Sequence, residues 1–191
     1  TRMTQLTVAQ LTSIVGKSAK QSILTGVITG LPLIERFGIL PPHRLAHFIA
    51  QIAHESARFA TTREYASGSA YEGRRDLGNT QPGDGKKFKG HGLIQVTGRA
   101  NHRAFFSWAK NNGFPKVPNF EASPDLAAEF PWALIGAVWY WTTRGLNTYA
   151  DVNNIEMITR RINGGLNGYN DRLDLYTRAG LVLLGYEMKE G

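Results

Sequence analysis

The sequence predicts a mainly α, single-domain protein with one small, glycine-rich, partly extended lobe. Its 191 residues suit one domain, and 42% of them are hydrophobic, which is enough to bury a core. Apolar residues recur with helical spacing in both halves of the chain. Between those halves, glycines cluster at positions 68, 73, 78, 83, 85, 90 and 92, which disfavours a regular helix there.

Two helices are predicted in the first half. Residues 4–15 form an amphipathic helix, which Thr7 caps if the helix starts late. A proline pair at 41–42 precedes the clearest helix of the chain. Its apolar stripe has the i, i+3, i+4, i+7, i+8 spacing and consists of Leu45, Phe48, Ile49, Ile52 and Ala53. Glu55 follows at about 90° from the centre of this stripe, on the shoulder of the buried face.

The small lobe is predicted at residues 66–97, and its last part, 93–97, is a short strand or extended segment. A helix follows at 101–111. Residues 132–141 are apolar almost all round, which is typical of a buried helix, so the aromatic run at 139–141 is interpreted as core. A further helix ends at the Asn-Gly-Gly of 163–165, and Asn170 or Asp171 caps the last one.

Composition narrows the class of protein. There are no cysteines, which excludes a disulfide scaffold and a thiol nucleophile. The formal net charge is +7 and favours polyanionic partners such as nucleic acid, an anionic membrane surface or an acidic wall polymer. The apolar stretch 23–40 is too interrupted for a transmembrane helix, and no signal peptide is visible. We therefore expect a protein made in the cytoplasm, without stable membrane insertion.

Two acids, Glu55 and Glu64, stand at the end of the clearest helix and just beyond it. A carboxylic acid beside an apolar face loses solvation, which favours its protonated form, whereas a carboxylate in a polar loop stays ionised. Acid/base cleavage of a glycosidic bond needs this asymmetry. The alternative interpretation is a pair of solvated surface glutamates.

A second polar group, Gln95, Thr97 and Asn101, lies among glycines that allow close approach of a ligand. Amide and hydroxyl groups suit amino sugars, although a simple turn would also explain the glycines. The five histidines show no metal-ligand spacing and are interpreted as solvated or supporting side chains. His47 and His54 are expected on the face opposite the apolar stripe. No metal and no cofactor are expected.

Several motifs occur in a fixed order between residues 31 and 184: HFIAQIAHES, YASGSAYEGRRDLGN, FKGHGLIQVTGRANH, WYWTTRGLN and ITRRINGGLNG. Together they resemble the family 19 glycoside hydrolases, and specifically the short phage endolysins of that lysozyme-like superfamily. The resemblance implies a lysozyme-like fold and an inverting mechanism without metal or cofactor.

Position by position, the resemblance assigns roles to these residues. Glu55 matches the general acid, Glu64 the general base, and Thr97 the hydroxyl residue that holds the attacking water. The other matching positions contact the substrate or brace the cleft: Gln95, Asn101, Asn163 and Arg172. Glu72 is a further acidic residue near the site, and it competes with Glu64 for the role of general base.

Two positions depart from the family pattern, because His91 stands where arginine is usual and His102 where tyrosine is common. The chain is also shorter than plant chitinases and lacks their cysteines, which favours a wall lysin. The sequence thus predicts a monomeric endolysin that hydrolyses β-1,4 bonds of peptidoglycan glycan strands for phage release, reaches the wall after membrane permeabilisation and does not bind nucleic acid. The alternatives are a chitinase of the same family and a basic binding protein without catalysis.

Overall fold

The computed structural model describes residues 6–185, and the protein is mainly α over this range. Its backbone contacts divide into two compact units, one formed by residues up to 60 together with those from 141 onward, the other by residues 61–140. The predicted lobe, 66–97, lies entirely within the second unit. The single-domain organisation stays a prediction.

The α-helices occur in this chain order: α1 Val8–Val15, α2 Gln21–Ile34, α3 Pro42–Glu55, α4 Asp84–Lys87, α5 Arg99–Asn111, α6 Trp132–Thr143, α7 Leu146–Asp151, α8 Ile155–Asn163 and α9 Tyr169–Leu183. Short 3-10 turns occur at Glu35–Phe37, Ser69–Tyr71, Arg75–Leu77 and Pro124–Ala128. No helix within residues 6–185 is long and apolar enough to cross a membrane.

Helix α1 starts at Val8, directly after its N-cap Thr7, which is the later of the two starts that the sequence allowed. The Thr7 hydroxyl accepts a hydrogen bond from the Gln10 N–H, and the Gln10 side chain accepts one from the Thr7 N–H, which completes a capping box. Thr4 and Gln5, which we also predicted as helical, lie outside the described residues.

Helix α3 is the centre of the first unit and packs mainly against α9. The predicted stripe is confirmed, with Phe48, Ile49 and Ile52 fully buried. The opposite face is also covered, so of the two interpretations of His47, a solvated or a supporting side chain, the solvated one was wrong. The His47 ring is buried and stacks on Tyr176 of α9 with ring centroids 4.1 Å apart. A helix surrounded by other helices loses the solvent-facing side that its amphipathic pattern predicts.

Helix α2 was not predicted, and the start of α9 differs from the expectation. Helix α2 occupies a stretch that glycines and Pro32 interrupt, because its apolar residues, including Val27 and Ile34, are buried in the first unit. Helix α9 begins after Gly168 without a side-chain cap, so capping by Asn170 or Asp171 was wrong. Asp171 instead binds His54 near the end of α3 and Arg58 in the segment that follows it, so its side chain is engaged by tertiary partners and does not cap the helix.

The second unit has an aromatic core around α5. Phe105 and Phe120 stack with centroids 4.5 Å apart, and Val96, Ile135 and Trp139 complete the buried cluster. Residues 93–97, left open as a strand or extended segment, form a tight connection closed by an isolated antiparallel bridge between His91 and Val96. His91 also bridges to Arg63, which brings the segment directly before Glu64 and the 90–96 segment side by side.

Candidate active site

Glu55 is the last residue of α3, and an unusual turn follows it. Ala57, Arg58 and Phe59 have φ values of 53°, 58° and 63°, so three consecutive non-glycine residues are left-handed. Such residues cost about 1–2 kcal/mol each relative to right-handed backbone. Strain of this kind persists where surrounding contacts impose it, and it clusters at functional sites.

The contacts that impose this turn are specific. The buried Ser56 hydroxyl donates to the Ile52 carbonyl at 2.7 Å and accepts from the Phe59 N–H at 3.0 Å. Phe59 is fully buried, and Arg58 donates to Asp171 at 2.7 Å. The turn therefore fixes where α3 ends. It thereby fixes the position of Glu55, the last residue of that helix.

Arg172 of α9 holds the Glu55 carboxylate from inside the first unit. The guanidinium is 1% exposed and donates to Glu55 Oε1 and to Gln51 Oε1, both at 2.6 Å, and to the Asn167 carbonyl at 3.2 Å. Gln51 lies one helical turn before Glu55, so the two acceptors are stacked on one face of α3. The Glu55 side chain keeps 21% exposure and is half-buried.

His54, next to Glu55, is also tied to α9. Its Nδ1 lies 2.7 Å from Asp171 Oδ2, and its ring packs so closely on Gly168 that a Cβ there would come within 2.2 Å of the imidazole. Burial raises the pKa of Asp171, but hydrogen bonds from Arg58 and His54 outweigh it and hold the pKa below its usual value. His54 is thus a half-buried supporting group and does not face solvent freely.

Glu64 lies in the second unit, and each of its carboxylate oxygens accepts a hydrogen bond. The Tyr71 hydroxyl donates to Oε1 at 2.7 Å, and the Gly90 N–H donates to Oε2 at 2.9 Å. The Glu64 N–H in turn donates to the Gly90 carbonyl at 2.9 Å. Burial, followed by the hydrogen bond to Glu64, raises the pKa of Tyr71 to about 12, so its phenol stays a donor at physiological pH.

Glu72, the competing acid, has a different environment. Its two oxygens accept hydrogen bonds from the N–H groups of Gly83 and Gly85, at 2.9 and 2.8 Å. These two backbone donors, that of Gly85 first, lower the pKa of Glu72. The Glu72 carboxylate therefore closes a loop.

The predicted polar group lies beside Gly90. The Gln95 side chain packs on Gly90 so that a Cβ there would lie 2.6 Å from Gln95 Oε1. Thr97 Oγ1 donates to the Gln95 carbonyl at 3.3 Å, and Asn101 Nδ2 donates to the Thr97 carbonyl at 2.8 Å. All three side chains are half-buried, so they are available to a ligand on the surface of the second unit.

The two departures from the family pattern contact each other. His91 Nδ1 lies 2.9 Å from His102 Nε2, and both rings are buried, so for this pair the solvated alternative was wrong and the supporting one stays open. His102 Nδ1 also bonds the Gly98 carbonyl at 2.7 Å, and His91 Nε2 lies 3.2 Å from Asp125. Burial lowers the pKa of His91, and it lowers the pKa of His102 to about 3.

The predicted residues thus fall into two sets, one in each unit. Arg172 joins Glu55 in the first unit, where Asn163, at the end of α8, accepts the Asn167 N–H at 3.2 Å. The sequence interpretation missed Gln51, Ser56 and Tyr71. Gln51 could have been found from its position one turn before Glu55, whereas nothing local marks Tyr71. Within residues 6–185, no cluster of three His, Asp or Glu side chains could hold a metal ion.

Comparison with known proteins identifies the class. No family model matches the chain. A glycosyl hydrolase family 19 domain-containing protein of Haemophilus influenzae is 33% identical over 174 residues, which span 75% of this chain and 82% of the relative. The chain therefore belongs to glycoside hydrolase family 19, and it is a glycoside hydrolase.

Solved structures share the fold. Chitinase C from Streptomyces griseus superposes with a TM-score of 0.68 at 18% identity, over 93% of this chain and 76% of that one. A class IV chitinase of the same family from Zea mays gives 0.68 at 17% identity, over 94% and 92%. A bacterial family 19 chitinase gives 0.67 at 20% identity, over 94% and 95%. The lysozyme-like, mainly α fold predicted from the sequence is confirmed.

Proposed function

We propose that this glycoside hydrolase is an endolysin that cleaves β-1,4 bonds of bacterial peptidoglycan by inversion, with Glu55 as general acid and Glu64 as general base. The contrast between the two carboxylates carries the proposal. Glu55 is half-buried against one buried cation, and Glu64 accepts a neutral donor on each oxygen. Inverting hydrolysis needs two carboxyl groups in different environments, one to give a proton and one to take it.

The contacts assign a role to each oxygen. Because Arg172 donates to Oε1 of Glu55, the proton of the acid form belongs on Oε2, which protonates the leaving glycosidic oxygen as the C1–O bond breaks. Glu64 removes a proton from the attacking water as the new C1–O bond forms on the opposite face of the sugar. Thr97 orients that water, and Gln95 and Asn101 contact the sugar.

Charge favours peptidoglycan over chitin as substrate. Peptidoglycan carries carboxylates on its stem peptides, whereas chitin is uncharged. The net charge is +7, and a groove of about 490 Å³ in the second unit is lined by Lys86 and Lys87. Asp125, also in its lining, lies within ion-pair distance of Arg63, so the two lysines give the groove its positive potential.

The biological setting is part of the same proposal. The protein acts as a monomer, is made in the host cytoplasm and reaches the wall after the membrane is permeabilised, which releases phage progeny. Family membership argues against the non-catalytic binding alternative. A chitinase remains the second candidate, because the solved structures of this fold described above are chitinases.

The deciding experiment compares purified peptidoglycan with soluble chitooligosaccharides for the wild type, Glu55→Gln and Glu64→Gln. We expect faster cleavage of peptidoglycan and a loss of about 10²–10⁴-fold in each variant. Mass spectrometry of the reduced products then shows which sugar carries the new reducing end. Faster cleavage of chitooligosaccharides would favour the chitinase, and more than a tenth of wild-type activity in either variant would overturn that residue's role.

A matched pair tests the charge argument. Replacing Lys86 and Lys87 together by alanine should reduce peptidoglycan cleavage and leave chitooligosaccharide cleavage unchanged. The control is Lys116→Ala, which removes an exposed charge of the same unit outside the groove. An equal loss on both substrates would refute the role of this groove in recognising carboxylates.

A further inference from the structure

We propose that Tyr71 is a positioning residue for the general base and that Glu72 holds Tyr71 in place. The inference rests on the proposed role of Glu64. It also gives Glu72 a structural function. The alternative is the role of general base, for which the sequence made Glu72 a candidate.

The two hydrogen bonds to Glu64 together fix its carboxylate plane. A glutamate carboxylate otherwise rotates broadly about its last torsion. The Gly90 N–H holds Oε2 and belongs to the backbone, so it is rigid. The Tyr71 hydroxyl holds Oε1 and comes from a side chain, so the orientation of the plane depends on where Tyr71 is held.

Two hydrogen bonds hold the Tyr71 backbone, and a third anchors one of its partners. Tyr71 ends the 3-10 turn Ser69–Tyr71, and its N–H donates to the Gly68 carbonyl at 3.0 Å. Its own carbonyl accepts from Asn79 Nδ2 at 3.0 Å. Asn79 is fully buried and in turn accepts the Arg99 N–H at 2.9 Å, which ties the turn to the start of α5.

Glu72 supplies the remaining attachment. Directly after Tyr71, its carboxylate binds the N–H groups of Gly83 and Gly85 and so joins the tyrosine segment to the turn that opens α4. The two backbones touch, since a Cβ on Gly85 would lie 2.6 Å from the Glu72 nitrogen and 2.8 Å from the Gly68 carbonyl oxygen. Only glycine fits this approach, and the carboxylate closes it.

The chain of contacts therefore runs from the 83–85 turn through Glu72 to Tyr71 and on to Glu64. A hydrogen bond to a charged acceptor is among the stronger interactions of its kind, and a small misplacement of a catalytic group has a large effect on rate. The loss of the phenol should change the chemical step more than substrate binding.

The test is Tyr71→Phe, assayed on soluble, uncrosslinked glycan strands. We expect kcat to fall about 10- to 100-fold with KM within about twofold of the wild type. The acid limb of the pH–rate profile should move to higher pH, because the ionised base has lost a donor. The control is Tyr65→Phe, which removes a phenol from a side chain that is 76% exposed and should leave kcat and the profile unchanged.

Two further variants keep the inference falsifiable. In a Glu64→Gln background, Tyr71→Phe should cause no further loss, because the group that it positions is gone. Glu72→Gln keeps one acceptor and should lower kcat less than Tyr71→Phe, with faster hydrogen exchange at the amides of Gly83 and Gly85.

The outcomes separate the inference from the proposed function. An active Glu64→Gln would overturn the proposed base. An inactive Glu64→Gln beside a Tyr71→Phe with unchanged kcat and pH profile would overturn the inference alone. A raised KM with unchanged kcat in Tyr71→Phe would make Tyr71 a substrate contact and would overturn the inference in that way. A Glu72→Gln that abolishes activity with both amides still protected would overturn the bracing role.

Discussion

Replacing Arg172 with methionine removes a buried cation while keeping most of the aliphatic volume of the side chain. Three hydrogen bonds are lost, to Gln51, Glu55 and the Asn167 carbonyl. Gln51 is fully buried, and its Oε1 loses the Arg172 donor. Removal of one partner of a buried ion pair costs about 3–5 kcal/mol, because the other charge stays behind without compensation.

The structure places the expected cost near the lower end of that range. The Glu55 side chain is 21% exposed, so water solvates part of the remaining charge. With about 3 kcal/mol lost, and about 2–4 °C per kcal/mol for a chain of this size, the thermal midpoint should fall by about 6–12 °C. Thermal unfolding followed by circular dichroism and calorimetry measures the shift, and glycoside hydrolase activity should fall with it as Glu55 loses its orientation.

Arg178→Met is the matched control, because it lies on the same helix and pairs with Asp174 four residues earlier. Its side chain is 50% exposed, and such surface pairs contribute about 0–1 kcal/mol. The control should therefore shift the midpoint by no more than about 4 °C. A shift of that size or less in Arg172→Met as well would refute the argument that this guanidinium holds the end of α3.

Four further predictions follow from the contacts. Ser56→Ala removes the acceptor of the Phe59 N–H and should cost about 1–3 kcal/mol in urea unfolding; an unchanged midpoint would show that the left-handed turn does not need the hydroxyl. His102 has a folded pKa of about 3, against about 6.5 when unfolded, so the unfolded state binds more protons between these values. Stability should therefore fall as pH drops from 6.5 towards 3, by up to about 1.4 kcal/mol per pH unit, and His102→Gln should flatten this dependence in pH-resolved calorimetry. Thr97→Val should slow hydrolysis with little change in binding, and early NMR of a digest should show the α-anomer first, whereas a β-anomer would refute inversion. Lysis of intact walls should weaken as salt shortens the Debye length to about 8 Å and below; a flat salt profile would remove the role of net charge.

Local periodicity was sufficient for several elements of the fold. The stripe of α3, the buried character of α6 and the glycine stop of α8 follow from spacing within a single helix, and all three are observed. The irregular lobe follows in the same way from its glycines, several of which have positive φ. The order of the motifs was sufficient for the family, which comparison with a relative then confirmed.

The surroundings of the acids depend on residues far apart in the chain. Arg172 and Glu55 are 117 residues apart, and no sequence window shows that one buries its charge against the other. The sequence allowed either a solvated or a supporting His47, because the amphipathic pattern of a single helix cannot show that a second helix covers its polar face. The sequence by itself determined which residues could carry the chemistry. Tertiary packing decided that Glu64 accepts hydrogen bonds from a phenol and a backbone amide, whereas the Glu72 carboxylate closes a loop. The physical reason is that these hydrogen-bond donors reach a carboxylate only after distant backbone segments have met.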